Sequence, residues 1–213
     1  MKRHNNLFEQ IVSIENIKLA AAKAKKGKMW QDTIKRFEKD EEQNLVKLRH
    51  SLEDQTFTTS AYKIKRIYEP KERDIYVLPF YPDRIVQHAI MNVLEPIWDN
   101  LFIHNSYACR KGKGQHRGST KCAEYVRKNK YCLKCDIKKF YPSINHDILF
   151  NIIKKKIKCK KTLNLLHDII YSIEGETNTP IGNYTSQWFG NLYLNELDMY
   201  VKHVLKILTR LRE

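Results

Sequence analysis

Two stretches of this chain alternate apolar and polar side chains with a period of two. They are "AYKIKRIYEPKERDIYVLPF" at 61–80 and "YCLKCDIKKF" at 131–140. Most of the rest is spaced for helices. A period of two places successive side chains on opposite faces of a strand, so the pattern limits the sheet to a few short strands. It predicts an α+β fold, helix-rich with a short antiparallel sheet. In the first stretch Tyr62, Ile64, Arg66 and Tyr68 alternate with Lys63, Lys65 and Ile67. "EPKER" makes a turn and "DIYVLPF" resumes, which reads as a β-hairpin with basic residues near its tip. In the second, a strand over 131–137 puts Tyr131, Leu133, Cys135 and Ile137 on a face suited to packing against helices. Cys132, Lys134, Asp136 and Lys138 take the other face.

The helical segments follow from apolar spacing. Leu7, Ile11, Ile14 and Ile17 begin a helix that "LAAAKAKKGK" continues until Gly27. A second spans roughly 30–54, with Ile34, Phe37, Leu45, Leu48 and Leu52 on one side. A third starts at Asp83, a fitting N-cap, and carries Ile85, Ala89, Ile90, Val93, Leu94 and Ile97. Pro96 is expected to kink or end it. Further helices are expected at about 146–157, capped by Asn145, and at about 162–173. A long amphipathic helix through Trp188, Leu192, Leu197, Val201 and Leu205 is expected to reach the C-terminus.

The formal net charge is +15, which favours a polyanionic partner. Most of the excess is local. Residues 110–139 hold 11 basic side chains against 2 acidic, a net of +9, while 1–109 and 140–213 each carry +3. Within that window "SYACRKGKGQHRGST" reads as a basic loop. Gly112, Gly114 and Gly118 miss the G-x-G-x-x-G spacing, and no G-K-[ST] ending marks a P-loop. Arg110, Lys111, Lys113 and Arg117 suit either contacts to a phosphate backbone or a solvated loop. The five cysteines are odd in number and lack framework spacing, which points to a reducing compartment. Cys132 and Cys135 form C-x-x-C, but on a strand they face opposite ways, and small strand residues explain them better than a metal or redox pair. No apolar run approaches the ~20 residues of a membrane span. The N-terminus has no apolar core for a signal peptide. A soluble, cytoplasmic protein is expected.

Asp136 is an acid among Lys134, Lys138 and Lys139. Its residues alone leave three readings open: a surface ion pair, a turn or capping residue before "YPSI", or a metal ligand facing a polyanion channel. The last has a chemical rationale. Template-directed polymerases use paired Mg²⁺ ions, which need carboxylate oxygens inside a basic groove.

Four ordered blocks make the chain resemble reverse transcriptases of prokaryotic retroelements. They are "IYEPKERDIYVLPFYPDRIVQHAI", "SYACRKGKGQHRG", "KCDIKKFYPSI" and "TPIGNYTSQWFGNLYLNELD". "SYACRKGKG" and "IGNYTSQ" look most like the diversity-generating retroelement branch. The resemblance implies right-hand polymerase fingers and an incomplete palm. It divides the chain into an N-terminal helical extension (1–60), fingers (61–130) and a partial palm with interleaved fingers helices (131–213). It also assigns roles. Asp136 would be the first metal-binding aspartate, with the Ile137 carbonyl on the same metal. Lys71 and Arg73 would grip the incoming triphosphate, Tyr141 would be the aromatic gate against ribonucleotides, and Ile181 and Gly182 would line the nucleotide pocket. Arg110, Lys111, Lys113, Arg117, Ser186 and Gln187 would contact nucleic acid. The implied partners are an RNA template, a DNA primer, deoxynucleoside triphosphates and an accessory protein of the retroelement. The implied cofactor is Mg²⁺ in a two-metal site.

The chain departs from the family in one respect. It has no Asp-Asp, where relatives carry Tyr-x-Asp-Asp after the long helix. It therefore reads as truncated before that motif, with the thumb absent, and is expected to be inactive by itself as a polymerase. The alternatives are a non-catalytic RNA-binding fragment and an intron-maturase-like RNA chaperone.

Overall fold

The structure, a computed structural model, describes residues 3–207 and 209–212. Helices α1 (Phe8–Val12) and α2 (Ile14–Lys25) stand where the apolar spacing suggested one. Ser13 separates them in an extended conformation, and its hydroxyl accepts the N–H of Asn16, so it ends one helix and caps the next. The segment expected as one helix over 30–54 also divides, into α3 (Asp32–Lys39) and α4 (Glu41–Glu53), around non-helical Asp40. A straight helix would carry Glu41 one turn below buried Phe37. The break instead lets Glu41 meet Lys25 of α2 at 2.7 Å.

Helix α5 (Ile85–Asp99) is the centre of the core. Its Ile85, Val86, Ala89, Ile90, Met91, Leu94 and Trp98 are all buried. Full burial of each large apolar side chain contributes about 1.5–3 kcal/mol. α2 lies along α5 with Ala20, Ala21 and Ala24 buried, small side chains that let the two axes come close. Asn16 ties the pair, donating to the carbonyls of Ile11 (2.9 Å) and Ala89 (3.0 Å) and accepting from Asn92 (2.9 Å). Two of the local readings change here. Pro96 does not end α5, which runs on to Asp99 because buried Leu94 and Trp98 hold its last turn in the core. Asp83 does not cap α5. Its carboxylate accepts the N–H of Ser60 (2.9 Å) from within a short π-helical turn, Phe80–Arg84.

The sheet has two strands, β1 (Lys63–Ile67) and β2 (Arg73–Val77), antiparallel with Lys65 opposite Ile75. The strand expected over 131–137 does not form. After α6 (Gln115–Lys128), residues 131–137 belong to no ladder, and every one is exposed. Its apolar face therefore does not pack on helices: Leu133 is 88% exposed. Strand hydrogen bonds must come from another segment, and no described segment lies alongside.

Helices α7 (Phe140–Ser143), α8 (His146–Lys154) and α9 (Lys160–Ile170) follow, α8 capped by Asn145 as expected. α10 (Tyr184–Met199) packs on α5 and α8 through Trp188, Phe189 and Leu192. The long C-terminal helix ends early. It passes through a π-helical turn, Tyr200–Val204, and Leu205 is exposed. The chain then folds back so that Tyr107 donates its N–H to the Arg212 carbonyl at 2.9 Å. A buried carboxylate needs a cation, and Asp198, fully buried on α10, is met by Arg210 (3.1 Å) and Arg212 (3.2 Å). Among the described residues no helix is long and apolar enough to cross a membrane.

His88 on α5 stacks on Tyr184 at 4.4 Å. Burial, with Lys28, Lys23 and Arg84 nearby, pushes its imidazole down to about 4. The folded state thus resists a proton that the unfolded chain accepts near pH 6.5. The contribution is complete above that pH and is lost as pH falls toward 4. Unfolding in urea should weaken across this window by about 2 kcal/mol more for the unaltered chain than for His88→Gln, a figure reduced for the ring's contact with water. Parallel pH profiles for the two proteins would refute it.

Candidate nucleotide and nucleic-acid site

The β1–β2 hairpin projects from the core with Lys71 and Arg73 exposed at its tip. Arg66 and Asp74, directly opposite on the two strands, hold it by paired hydrogen bonds of 2.8 and 3.2 Å. Among the described residues Lys71 and Arg73 make no ion pair of their own. Two cations thus stand free at the end of a braced ribbon.

The loop before α10 joins this hairpin to the rest. The N–H of Tyr76 donates to the Ile181 carbonyl at 2.8 Å, continuing the outer edge of β2. Gly182 follows with φ +118°. A side chain there would place its first carbon 2.8 Å from the Tyr76 carbonyl oxygen and 3.0 Å from Ile75. Only glycine allows both the backbone angle and the close approach. Asn178 donates to the Tyr76 hydroxyl (3.1 Å), and Asn183 to the Tyr62 hydroxyl (2.9 Å). On the other side the loop grips the α7–α8 corner. Thr179 N–H donates to the Tyr141 carbonyl (2.9 Å), and His146 Nε2 to the Asn178 carbonyl (2.8 Å). The loop therefore draws together Tyr141, Ile181, Gly182 and the hairpin that bears Lys71 and Arg73.

Tyr141 is half-buried against Phe140, ring centroids 5.2 Å apart, and burial raises its phenol pKa. Gly190 of α10 makes room for both rings. A methyl there would lie 3.1 Å from Phe140 and 3.2 Å from Tyr141. Sequence reading passed over Gly190, although a glycine inside an amphipathic helix was a visible sign of close packing. It also passed over Asn178 and Asn183, which nothing in a polar loop sets apart.

The basic loop divides by burial. Arg110 is turned inward: it pairs with Asp99 at 2.6 Å, donates to the carbonyls of Ile103 (2.9 Å) and Ser106 (3.1 Å), and lies over the Phe102 ring. Lys111 and Arg117 are exposed. Lys113 donates to the His104 carbonyl at 2.8 Å. Burial, then the nearby Arg110 and Arg117, holds its ammonium below the usual lysine range. Gly112 (φ +70°) and Gly114 (φ +101°) turn the chain into α6, whose surface adds Lys121, Arg127 and Lys128. Ser186 is buried, its hydroxyl closing the loop onto the Pro180 carbonyl at 2.7 Å, whereas Gln187 is exposed.

Residues 69–202 match the family model described as reverse transcriptase (RNA-dependent DNA polymerase). The chain belongs to the reverse transcriptase family. The match runs from the hairpin turn through α10 and so contains Lys71, Arg73, the basic loop, Tyr141 and the 176–183 loop, while β1 lies before it. Among curated relatives, the Group II intron-encoded protein LtrA of Lactococcus lactis subsp. cremoris is 26% identical over 172 residues, 75% of this chain and 28% of LtrA. Protein YkfC of Escherichia coli (strain K12) is 25% identical over 155 residues, 64% of this chain and 40% of YkfC. Nuclear intron maturase 1, mitochondrial, of Arabidopsis thaliana is 25% identical over 107 residues, half of this chain and 14% of that protein. The chain thus spans less than half the length of each.

Reverse transcriptases generally use Mg²⁺. The donors among the described residues do not compose such a site. Asp136 and Ile137 lie exposed on the unpaired 131–137 segment, where Asp136 is the sole carboxylate. Among the described residues no three His, Cys, Asp or Glu side chains stand together to hold a metal ion. Among the described residues no second strand pairs with the segment that carries Asp136.

Proposed function

We propose that this reverse transcriptase domain is the fingers and part of the palm of an RNA-directed DNA polymerase, the machinery that grips template and incoming nucleotide. The observation that supports this most is the junction of the 176–183 loop with the hairpin and Tyr141, because it gathers residues from three separate blocks around one place. In this reading Lys71 and Arg73 hold the triphosphate of a deoxynucleotide as fixed cations. Tyr141 flanks the sugar and Ile181–Gly182 the base. Asp136, with the Ile137 carbonyl, offers the first metal oxygens. Lys111, Lys113 and Arg117 meet phosphates of the template, and Gln187 faces the same strand. Arg110 and Ser186 act indirectly, fixing the loops that present them. The division at residues 60 and 130 belongs to the same proposal, as does assignment to the diversity-generating branch. That assignment rests on Ile181-Gly182 and Ser186-Gln187, within the block that resembles that branch.

A second reading, RNA binding without chemistry, is favoured by the exposed, single carboxylate. Both readings expect RNA affinity that falls with salt. Replacing Lys111, Lys113 and Arg117 together by Ala should lower the slope of log K against log salt. The expected change is about 0.7 for each phosphate of single-stranded RNA that is no longer neutralised. Arg110→Ala should act instead by lowering stability. An unchanged slope in the triple variant would remove the basic loop from the interface. Protection of the hairpin by deoxynucleoside triphosphate, lost in Lys71→Ala with Arg73→Ala, separates the polymerase reading from simple RNA binding.

A further inference from the structure

The corner between α8 and α9 carries a second concentration of charge. Residues 154–161, "KKKIKCKK", hold six lysines and no acid, six of the ten basic side chains of 140–213. Buried Ile157 and Cys159 anchor the segment, and Lys158 and Lys160 beside them face out. Residues 3–4 lie along it. The N–H of His4 donates to the Lys156 carbonyl (2.8 Å), the N–H of Lys158 to the His4 carbonyl (2.7 Å), and exposed Arg3 to the Ile157 carbonyl (3.2 Å). Lys154 lies over the Phe150 ring and Lys161 over the Phe8 ring, 5.0 and 5.4 Å from the centroids. Lys155 pairs with Glu196 at 3.1 Å. Among the described residues Lys154, Lys158, Lys160 and Lys161, all exposed, make no ion pair. Lys160 and Lys161 also open α9, whose first turn holds no acid, so their charge adds to the positive end of that helix. An anion bound here would relieve both the crowding of like charge and the helix end.

We propose that this corner is a second RNA-binding surface, which grips the phosphate backbone of paired RNA away from the nucleotide site. Its place in the fold separates the two. The other ends of α8 and α9 meet where the Tyr171 hydroxyl donates to the Asp147 carboxylate, beside the loop that joins the hairpin. The helices have nine and eleven residues, so the corner stands about 13–16 Å from those ends. Its surface suits a phosphate backbone. Phe8 and Phe150 lie beneath lysines, and neither is exposed as a ring on which an unpaired base could stack. A lipid surface or an acidic peptide is usually held by an apolar anchor as well as by charge. No large apolar side chain of 149–163 is exposed to serve as one. Contacts to phosphates alone position an RNA without reading its sequence. The corner shares with the function proposed above only the choice of RNA as the polyanion, and it does not draw on the basic loop.

The test measures the affinity of the chain for a fully paired RNA hairpin and for an unstructured oligonucleotide of equal charge, each over a range of salt. Lys154→Ala, Lys158→Ala, Lys160→Ala and Lys161→Ala together should lower the slope of log K against log salt for the hairpin. The expected change is about 0.9 for each duplex phosphate no longer neutralised, about 2–4 in all. The change for the unstructured strand should be clearly smaller. Combined with the Lys111, Lys113 and Arg117 variant, the two losses should add, since the surfaces do not touch. Arg at the same four positions should keep the unaltered slope. An unchanged hairpin slope, with the basic-loop variant still effective, would overturn the corner and leave RNA binding by the loop intact. Equal losses for the two RNAs would make the corner part of a single-strand path and overturn it as well. So would equal loss in the Arg variant, which would trace the effect to packing. Unchanged RNA affinity with lost binding to vesicles of anionic phospholipid would assign the corner to a lipid surface and overturn the proposal.

Discussion

In primer extension on an RNA template with Mg²⁺ and deoxynucleotides, this 213-residue chain is expected to yield no product that depends on Asp136. The expected loss is total within the assay's range, because two metal ions need several oxygen donors held on rigid backbone. Here Asp136 stands alone among lysines on an unpaired segment, and no cluster of three ligand side chains exists among the described residues. Without aimed donors, the phosphate contacts proposed for the hairpin and basic loop would supply no means to activate a primer hydroxyl. Product made by the unaltered chain and abolished by Asp136→Asn would overturn this. RNA binding should be the same in both proteins.

The largest structural effect is expected at Gly182. Gly182→Val should lower unfolding free energy by roughly 2–4 kcal/mol, from a left-handed backbone angle that a β-branched residue resists and from overlap with the Tyr76 carbonyl oxygen. Gly175 provides the comparison. It has a similar φ of +105° but nothing within 4 Å of its would-be side chain, so Gly175→Val should lose only the strain, about 1–3 kcal/mol. Urea unfolding of the two variants measures the difference. In Gly182→Val the hairpin should also separate from the 176–183 loop, seen as faster hydrogen exchange at the Tyr76 amide. Equal stabilities, or unchanged protection at Tyr76, would show that the junction tolerates a side chain.

Arg110 shows how far reading the chain in order can go. Its place in a basic loop suggested a phosphate contact, and its charge is real. What the order of residues does not reveal is that Asp99 and the carbonyls of Ile103 and Ser106 converge on it. The same limit applies to Asp83, whose position before an apolar helix has the form of a cap. Its partner is Ser60, a residue 23 positions away. By contrast Asn145 caps α8 as read, because donor and acceptor lie three residues apart.

The sequence by itself determined what depends on near neighbours. It specified the apolar face of α5, the turn between β1 and β2, the Asn145 cap and the concentration of charge in 110–139. Each follows from spacing, local hydrogen bonding or composition. Only the tertiary structure decided the rest. It joined the Ile181–Gly182 loop to β2, turned Arg110 inward, folded Arg212 back onto Asp198 and left 131–137 unpaired. The physical reason is common to these outcomes. A strand, a buried ion pair or a loop junction is completed by groups distant in the chain, and alternation alone cannot supply the partner that a strand requires.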